Sequence, residues 1–141
     1  MTDSRYVIPL SEVRLRDSDI VGGKNASLGE MISQLTEAGV LVPGGFATTS
    51  HAFRDFLLQS GLKDYINKSL DALDVEDVDQ LAKIGSSIRE KIVSTRFTSA
   101  LEKEIEKAYV DLVESERENT SFAVRSSATA EDLPNASFAG Q

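Results

Sequence analysis

The sequence contains no cysteine and a single histidine among its 141 residues. The lack of cysteine excludes disulfides, thiolate metal sites and redox chemistry at sulfur. His51 has no clustered carboxylates beside it to complete a metal site, and no visible nucleophile that it could serve as a general base. We therefore expect a structural or surface position for His51, and no metal site in this chain.

Long apolar runs are absent too. No stretch approaches the roughly 20 apolar residues of a membrane-spanning helix, and the first residues lack the apolar segment of a signal peptide. The net charge of −8 and the pI near 4.6 disfavour nucleic acid and anionic membranes as partners, because both attract basic surfaces. We expect a cytoplasmic protein with no nucleic-acid or membrane partner. A small phosphate ligand remains possible, because it needs only a few local donors.

The composition is typical of a globular domain, with 40% hydrophobic and 27% charged residues. No internal repeat or linker composition marks a boundary, so residues 1–141 are interpreted as one domain or part of one. The hydrophobic spacing predicts an α+β fold that is mostly helical, with a few short strands. An edge strand or an extended arm is predicted near Tyr6–Leu10, which contains Pro9, and a short strand is predicted at Ser121–Val124.

Cap residues mark several of the predicted helices. Thr49 or Ser50 offers a hydroxyl to one helix, Asp74 caps a longer one, and Ser99 forms a capping box with Glu102. An earlier helix follows residue 24 and ends near 39. Its apolar residues fall on one helical face, namely Leu28, Met31, Ile32, Leu35 and Ala38.

Two segments have features suited to phosphate binding. In the first, Gly22 and Gly23 let the backbone approach a ligand, the following helix offers unpaired N–H groups, and Lys24 adds a positive charge. The pattern is not a Walker A loop, because Ser18 and Asn25 stand where that motif has glycine and Ser or Thr. A glycine turn into a helix with a solvated lysine is the alternative interpretation.

The second segment follows the predicted strand and begins at Arg125, whose planar guanidinium suits phosphate oxygens. Small and hydroxyl residues follow it and could add donors, among them Ser126, Ser127 and Thr129. The alternative is a surface ion pair of Arg125 with Glu131 or Asp132, a type of contact that contributes about 0–1 kcal/mol.

Three blocks of the sequence resemble the N-terminal region of the phosphoenolpyruvate synthase family, in the same order. They are VGGKNASLGEM at 21–31, VPGGFATT at 42–49 and FAVRSSATAEDLPNASFAGQ at 122–141. Pyruvate phosphate dikinases differ across the SSATAED stretch, and rifampin phosphotransferases usually read GGKGAN where this chain has GGKNAS. The synthase family is therefore the better match.

The resemblance implies a partial ATP-grasp-like domain in which Lys24 and Arg125 meet the phosphates of ATP. Gly23, Ser127 and Thr129 are further candidates for ATP binding, together with the backbone at 136–140 as a phosphate-covering loop. The family converts ATP, pyruvate and water to AMP, phosphoenolpyruvate and phosphate through a phosphorylated histidine in a Thr-Cys-His context. That context is missing here, so His51 is not the carrier.

By the same resemblance, the Mg²⁺ ligands, the adenine pocket and the pyruvate domain belong to sequence beyond Gln141. We therefore expect a fragment that is inactive alone, whose partners are ATP, the remaining domains of the polypeptide and, in the full enzyme, pyruvate. Two alternatives remain open: a standalone nucleotide-binding module, and a related phosphotransferase of the dikinase or rifampin type.

Overall fold

The computed structural model describes residues 4–74, 76–115 and 121–130. It is mostly helical with one small sheet, so the predicted α+β class is confirmed. Two 3₁₀ turns, Leu10–Glu12 and Leu15–Asp17, follow the first strand. In chain order the elements are β1 (Val7–Pro9), α1 (Ser18–Val21), α2 (Gly23–Glu37), β2 (Phe46–Thr48), α3 (Ser50–Gln59), α4 (Leu62–Asp71), α5 (Val78–Ser94) and α6 (Ser99–Ser115).

The chain divides into two compact units. The first comprises Met1–Phe53 with Lys103–Gln141, and the second comprises Arg54–Glu102. That both belong to one domain, as the sequence predicts, stays a prediction. Within the described ranges, none of the helices has the length and apolar character needed to cross a membrane.

The sheet of the first unit is a single antiparallel pair of strands. Its register joins Val7 to Thr48, Ile8 to Ala47 and Pro9 to Phe46. Ile8 and Ala47 are buried, and the pairing continues into the first 3₁₀ turn, where the Leu10 N–H donates to the Gly45 carbonyl at 2.9 Å. The predicted strand near the N-terminus is confirmed. The buried core of this unit consists of Ile8, Leu10, Val13, Val21, Ala26 and Ala47.

Helix α2 packs against this core through a different face from the one that its large apolar residues suggest. Its buried residues are the small ones, Gly23, Ala26 and Gly29. Met31 and Leu35 are exposed, as is Ala38, while Leu28 and Ile32 are partly buried at the edge of the core. The expected apolar face is therefore only partly used, because close packing of the backbones favours the small residues.

Gly29 is the point of closest approach between α2 and the 3₁₀ turns. A Cβ on this residue would lie 2.6 Å from the Val13 carbonyl oxygen, 2.7 Å from the Val13 Cβ and 2.9 Å from the Leu10 carbonyl oxygen. Two of these atoms belong to the backbone, so they cannot move aside as a flexible side chain would. Glycine is needed here for space, since an α-helix itself favours alanine.

We expect Gly29→Ala to lower the free energy of unfolding by about 1–3 kcal/mol, the usual cost of overpacking, despite the better helix propensity of alanine. Gly85→Ala is the matched control, because Gly85 also lies inside a helix. Its added Cβ would meet the flexible Arg89 guanidinium at 3.3 Å. We expect that control to be neutral or stabilising. Urea unfolding of both variants tests this, and equal effects would contradict the steric explanation.

The predicted caps are correct at one helix and displaced at two others. Thr49, which is buried, accepts the Ala52 N–H at 3.1 Å and so caps α3, as predicted. The cap of α5 is Asp77, which accepts the Gln80 N–H, and Asp74 instead accepts the N–H of residue 76. Helix α6 is capped by Thr98, the residue before Ser99. The Thr98 hydroxyl accepts the N–H of residue 101 at 3.3 Å.

The second unit is built from helices that meet through aromatic and polar contacts. Phe56 and Phe97 pack edge to face with their ring centroids 5.8 Å apart. The hydroxyls of Tyr65 in α4 and Ser87 in α5 lie 2.7 Å apart, and the ammonium of Lys91 lies 5.8 Å from the Tyr65 ring centroid. These contacts hold α4 against α5.

A carboxylate on α2 holds the second 3₁₀ turn in place. Glu30 accepts the backbone N–H of Leu15 at 3.2 Å and the side-chain amide of Gln34 at 2.6 Å. The hydrogen bond from the Leu15 N–H lowers the pKa of Glu30 most, and the bond from the Gln34 amide has the next largest effect. The positive charges of Arg14 and Arg16 lower this pKa further. The ionised form of Glu30 is therefore favoured by the fold.

We expect Glu30→Gln to be less stable than the parent chain at neutral pH. A lowered folded-state pKa means that the contribution of Glu30 is complete above the ordinary carboxyl pKa of about 4.3. It disappears as the pH falls through the lower folded-state pKa, so the two stability curves should converge in acid. Glu37→Gln, on the same helix, is the control. A stability difference that stays constant down to pH 2.5 would contradict this account.

Candidate functional site

The site begins at a one-residue turn between two helices. Helix α1 ends at Val21, α2 starts at Gly23, and Gly22 between them is buried with φ 83° and ψ 159°. This backbone region is essentially restricted to glycine. The Gly22 N–H donates to the Ser18 carbonyl at 3.0 Å and closes α1, while the Gly22 carbonyl accepts the Ala26 N–H of α2 at 3.0 Å. Gly22 is therefore bonded to both helices.

The second segment reaches this turn from the end of α6. The ring of Phe122 packs edge to face on Tyr109 of α6, with centroids 5.6 Å apart. Residues 121–124 are exposed and belong to no strand, so the predicted strand at this place is wrong. Val124 is fully exposed, which shows that no neighbouring strand covers its side chain.

Two hydrogen bonds join the second segment to the start of α2. The Gly23 N–H donates to the Ala128 carbonyl at 3.3 Å, and the Asn25 N–H donates to the Ser127 Oγ at 3.4 Å. The side-chain amide of Asn25 in turn donates to the Val21 carbonyl at 2.8 Å, at the end of α1. We call this set of contacts the glycine–serine junction. It connects residues that lie 102 positions apart in the sequence.

The junction is also sterically tight. A Cβ on Gly22 would overlap the Ser127 Oγ, and it would lie 2.8 Å from the Ser127 carbonyl carbon and 3.0 Å from the Ala128 nitrogen. The glycine that sequence analysis interpreted as making space for a ligand therefore makes space for another part of the same chain.

The junction changes the interpretation of the helix start. The sequence predicts unpaired N–H groups at the beginning of α2, but those of Gly23 and Asn25 are donated to the second segment, and the Ala26 N–H donates to the Gly22 carbonyl at 3.0 Å. For the N–H groups of Gly23 and Asn25 the prediction is therefore wrong. Helix starts leave several N–H groups without helical partners, and here groups of the chain itself occupy two of them.

The predicted site residues lie on or beside the junction. Gly23 is buried and Ser127 is half-buried, and both take part in its hydrogen bonds. Lys24 is exposed and stands between the two donors, while Arg125 and Thr129 are exposed and each stands two positions from Ser127. The structure thus brings together the two segments that the sequence identified separately.

Sequence reasoning missed two contributors, Asn25 and Ala128. A signal for them existed, because α2 begins after a glycine and has no side-chain cap of its own. Such a helix start requires partners from elsewhere in the chain or from solvent. The phosphate-covering loop expected at 136–140, and the ion pair of Arg125 with Glu131 or Asp132, lie outside the described residues.

His51 is not one of the residues that form the junction. It is exposed, and its ring stands 5.5 Å from that of Tyr6, at a tilt of 34°. The Tyr6 N–H donates to the Glu104 carboxylate at 3.1 Å. These contacts agree with the surface position expected for His51.

The model of the family described as "Pyruvate phosphate dikinase, AMP/ATP-binding domain" matches residues 18–141. The chain belongs to this family. It is 58% identical over 136 residues to the phosphoenolpyruvate synthase of Pseudomonas aeruginosa, a match that covers 96% of the chain and 17% of the relative. The Escherichia coli phosphoenolpyruvate synthase is 55% identical over 138 residues, 98% of the chain and 17% of the relative.

The resemblance seen in the sequence is thereby confirmed, and the family supports ATP as a ligand. A third relative, the phosphoenolpyruvate synthase of Neisseria meningitidis, is 58% identical over 137 residues. The chain spans about 17% of the length of these relatives. Their shared name describes proteins much longer than this segment of the AMP/ATP-binding domain.

We expect Gly22→Ala to disrupt the junction and to lower the free energy of unfolding by about 3 kcal/mol or more. The strained backbone and the overlap with Ser127 each cost about 1–3 kcal/mol. Gly39→Ala is the matched control. Gly39 also has a positive φ, 79°, but an added Cβ would meet nothing within 4 Å, so this variant tests a positive φ without the overlap.

Thermal and urea unfolding of the two variants separate these effects. Equal losses of stability in Gly22→Ala and Gly39→Ala would mean that the approach of Ser127 contributes nothing. A further check is the amide resonance of Ala128, which should shift in Gly22→Ala and stay in place in Gly39→Ala.

Proposed function

We propose that this chain is the N-terminal part of the ATP-binding domain of a phosphoenolpyruvate synthase, and that Lys24 and Arg125 contact the phosphates of ATP. The observation that carries the proposal is the glycine–serine junction, which brings the lysine segment and the arginine segment into direct contact. The AMP/ATP-binding family and the names of the three relatives support the choice of ligand and of enzyme.

Chain geometry supports a shared ligand for these two cations. Lys24 is next to Asn25, whose N–H lies 3.4 Å from the Ser127 Oγ, and Arg125 is two residues before Ser127. With about 3.8 Å between consecutive Cα atoms, the Lys24 and Arg125 Cα atoms lie no more than roughly 16 Å apart. Both side chains are long enough for their charged ends to meet a triphosphate held between them.

The chemistry of the two side chains is complementary. The arginine guanidinium binds phosphate oxygens through two parallel N–H donors, and the lysine ammonium adds a compact point charge. Phosphoryl transfer depends mainly on positioning and on neutralising charge at the transferring group, which is the task assigned to this pair. Thr129 and the O–H of Ser127 are proposed as additional donors, and Gly23 as a backbone element of the same site.

The complete enzyme is proposed to be cytoplasmic, with no nucleic-acid or membrane partner. It is proposed to convert ATP, pyruvate and water to AMP, phosphoenolpyruvate and phosphate through a histidine outside this segment, within an ATP-grasp-like architecture. Among the described residues, no group of three or more His, Asp or Glu side chains could hold a metal ion. On the basis of the family resemblance, we assign the Mg²⁺ ligands to other parts of the polypeptide and derive no step through the metal.

We expect Lys24→Ala and Arg125→Ala, each made in the complete polypeptide, to reduce labelling of the protein by phosphate from ATP about a hundredfold or more. Arg125→Lys should fall between Arg125→Ala and the parent, because it keeps the charge and loses the paired donors. Lys83→Ala, which removes an exposed cation from α5, is the control and should label normally. Near-normal labelling in either alanine variant would overturn the assignment of that residue.

A further inference from the structure

We propose that Ser127 is a positioning residue, which holds segment 125–130 against the start of α2 so that Arg125 and Lys24 act on the same ligand. The docking of this segment is seen in its contacts with α2, and the shared ligand rests on the proposed function.

Ser127 takes the place of a helix cap. The residue before α2 is Gly22, which has no side chain, and α2 has no side-chain cap within its own segment. The Ser127 hydroxyl supplies the missing acceptor to the Asn25 N–H, as Ser, Thr, Asp or Asn does in an ordinary N-cap. Ser127 is half-buried at this contact, whereas its neighbour Ser126 is exposed.

The docking uses a second bond that Ser127 does not make itself. The Ala128 carbonyl accepts the Gly23 N–H, so the segment is held at two successive residues. Both bonds are long, at 3.3 and 3.4 Å, and an intramolecular hydrogen bond contributes about 1 kcal/mol net. Losing the Ser127 bond should therefore weaken the Gly23 bond as well, because the same segment carries both acceptors.

This role is additional to a phosphate contact by the Ser127 O–H, because the Ser127 Oγ accepts the Asn25 N–H whichever group its own hydrogen meets. The N–H groups of Gly23 and Asn25 are used by the chain itself, so these two donors do not meet a phosphate while the segment is docked. Ser127 then acts through Arg125, two residues before it, and through Lys24, which lies between the two donors. A ligand that displaced the segment from α2 would release the Gly23 and Asn25 N–H groups at the same time.

The test compares Ser127→Ala with Ser126→Ala in the 141-residue chain without nucleotide, by residue-specific amide hydrogen exchange. We expect exchange at Asn25 and at Gly23 to rise about fivefold in Ser127→Ala, the factor that corresponds to one hydrogen bond of about 1 kcal/mol. The amide of Ile32, in the middle of α2, and all amides of Ser126→Ala should exchange as in the parent chain.

Gly23 is the decisive position, because its partner is a backbone carbonyl that the substitution leaves in place. Unchanged exchange at Gly23 would overturn the docking role, and so would faster exchange throughout α2, which would indicate general loss of stability. Exchange at Gly23 and Asn25 that stays slow in Ser127→Ala while ATP binding weakens would overturn the docking role and leave Ser127 only as the phosphate donor of the proposed function.

A second measurement in the complete polypeptide separates this inference from the proposed function. Ser127→Ala should weaken ATP binding by the factor by which its docked fraction falls, at most about fivefold, and Lys83→Ala should not. If Ser127→Ala exchanges faster at Gly23 but the parent protein itself does not bind ATP, the docking role is intact and the proposed function is wrong. An ATP affinity that stays normal in Ser127→Ala, although the exchange rates show that the docked fraction has fallen severalfold, would overturn the link between docking and the ligand.

Discussion

The approach of Ser127 to Gly22 is the contact on which the candidate site depends, because it joins two segments that are otherwise far apart in the chain. Its geometry leaves no room for a Cβ at residue 22, and the backbone there is in a region that other residues avoid. One glycine thus satisfies a conformational requirement and a steric one together. The hydrogen bonds from Gly23 and Asn25 then determine which residues of the second segment lie at the start of α2.

Helix α2 is held at a second glycine further along. Gly29 brings the helix backbone against the carbonyls of Val13 and Leu10, and Glu30 binds the N–H of Leu15 on the next turn. Small residues on the buried side of α2 allow this packing, which explains why its larger apolar residues lie at the edge of the core or in solvent. Because the helix is fixed by backbone contacts, Lys24 at its start has a defined place relative to the core.

Much of the fold could be predicted from local sequence signals, and the errors have physical causes. The strand near Pro9 and the cap at Thr49 follow from neighbouring residues. Asp77, three residues from Asp74, caps α5 because its carboxylate reaches the Gln80 N–H, and several acceptors close together make such a choice ambiguous. The strand predicted at 121–124 fails because a strand needs a partner, and hydrophobicity alone does not supply one.

The site could be predicted in its parts but not in its connections. Lys24 and Arg125 carry chemistry that is visible in the sequence, so both were identified as phosphate candidates. The bond from Asn25 to Ser127 depends on a contact across 102 residues, and no local pattern specifies it. The same contact corrected the interpretation of Gly22 and Gly23, whose small size serves the packing of the chain on itself.

Electrostatics explains why such a junction suits an anion even though its N–H donors are used. A lysine at a helix start is disfavoured by about 0.3–1 kcal/mol, because the helix dipole places positive partial charge there. Docking of Ser127 and Ala128 adds neutral acceptors, which satisfy the N–H groups of Asn25 and Gly23 but bring no negative charge to the helix start. The exposed Arg125 adds a second cation close by in a chain whose net charge is −8. A phosphate placed between these side chains would bring negative charge to two cations and to the positive end of the helix dipole, which is the electrostatic basis of the proposed site.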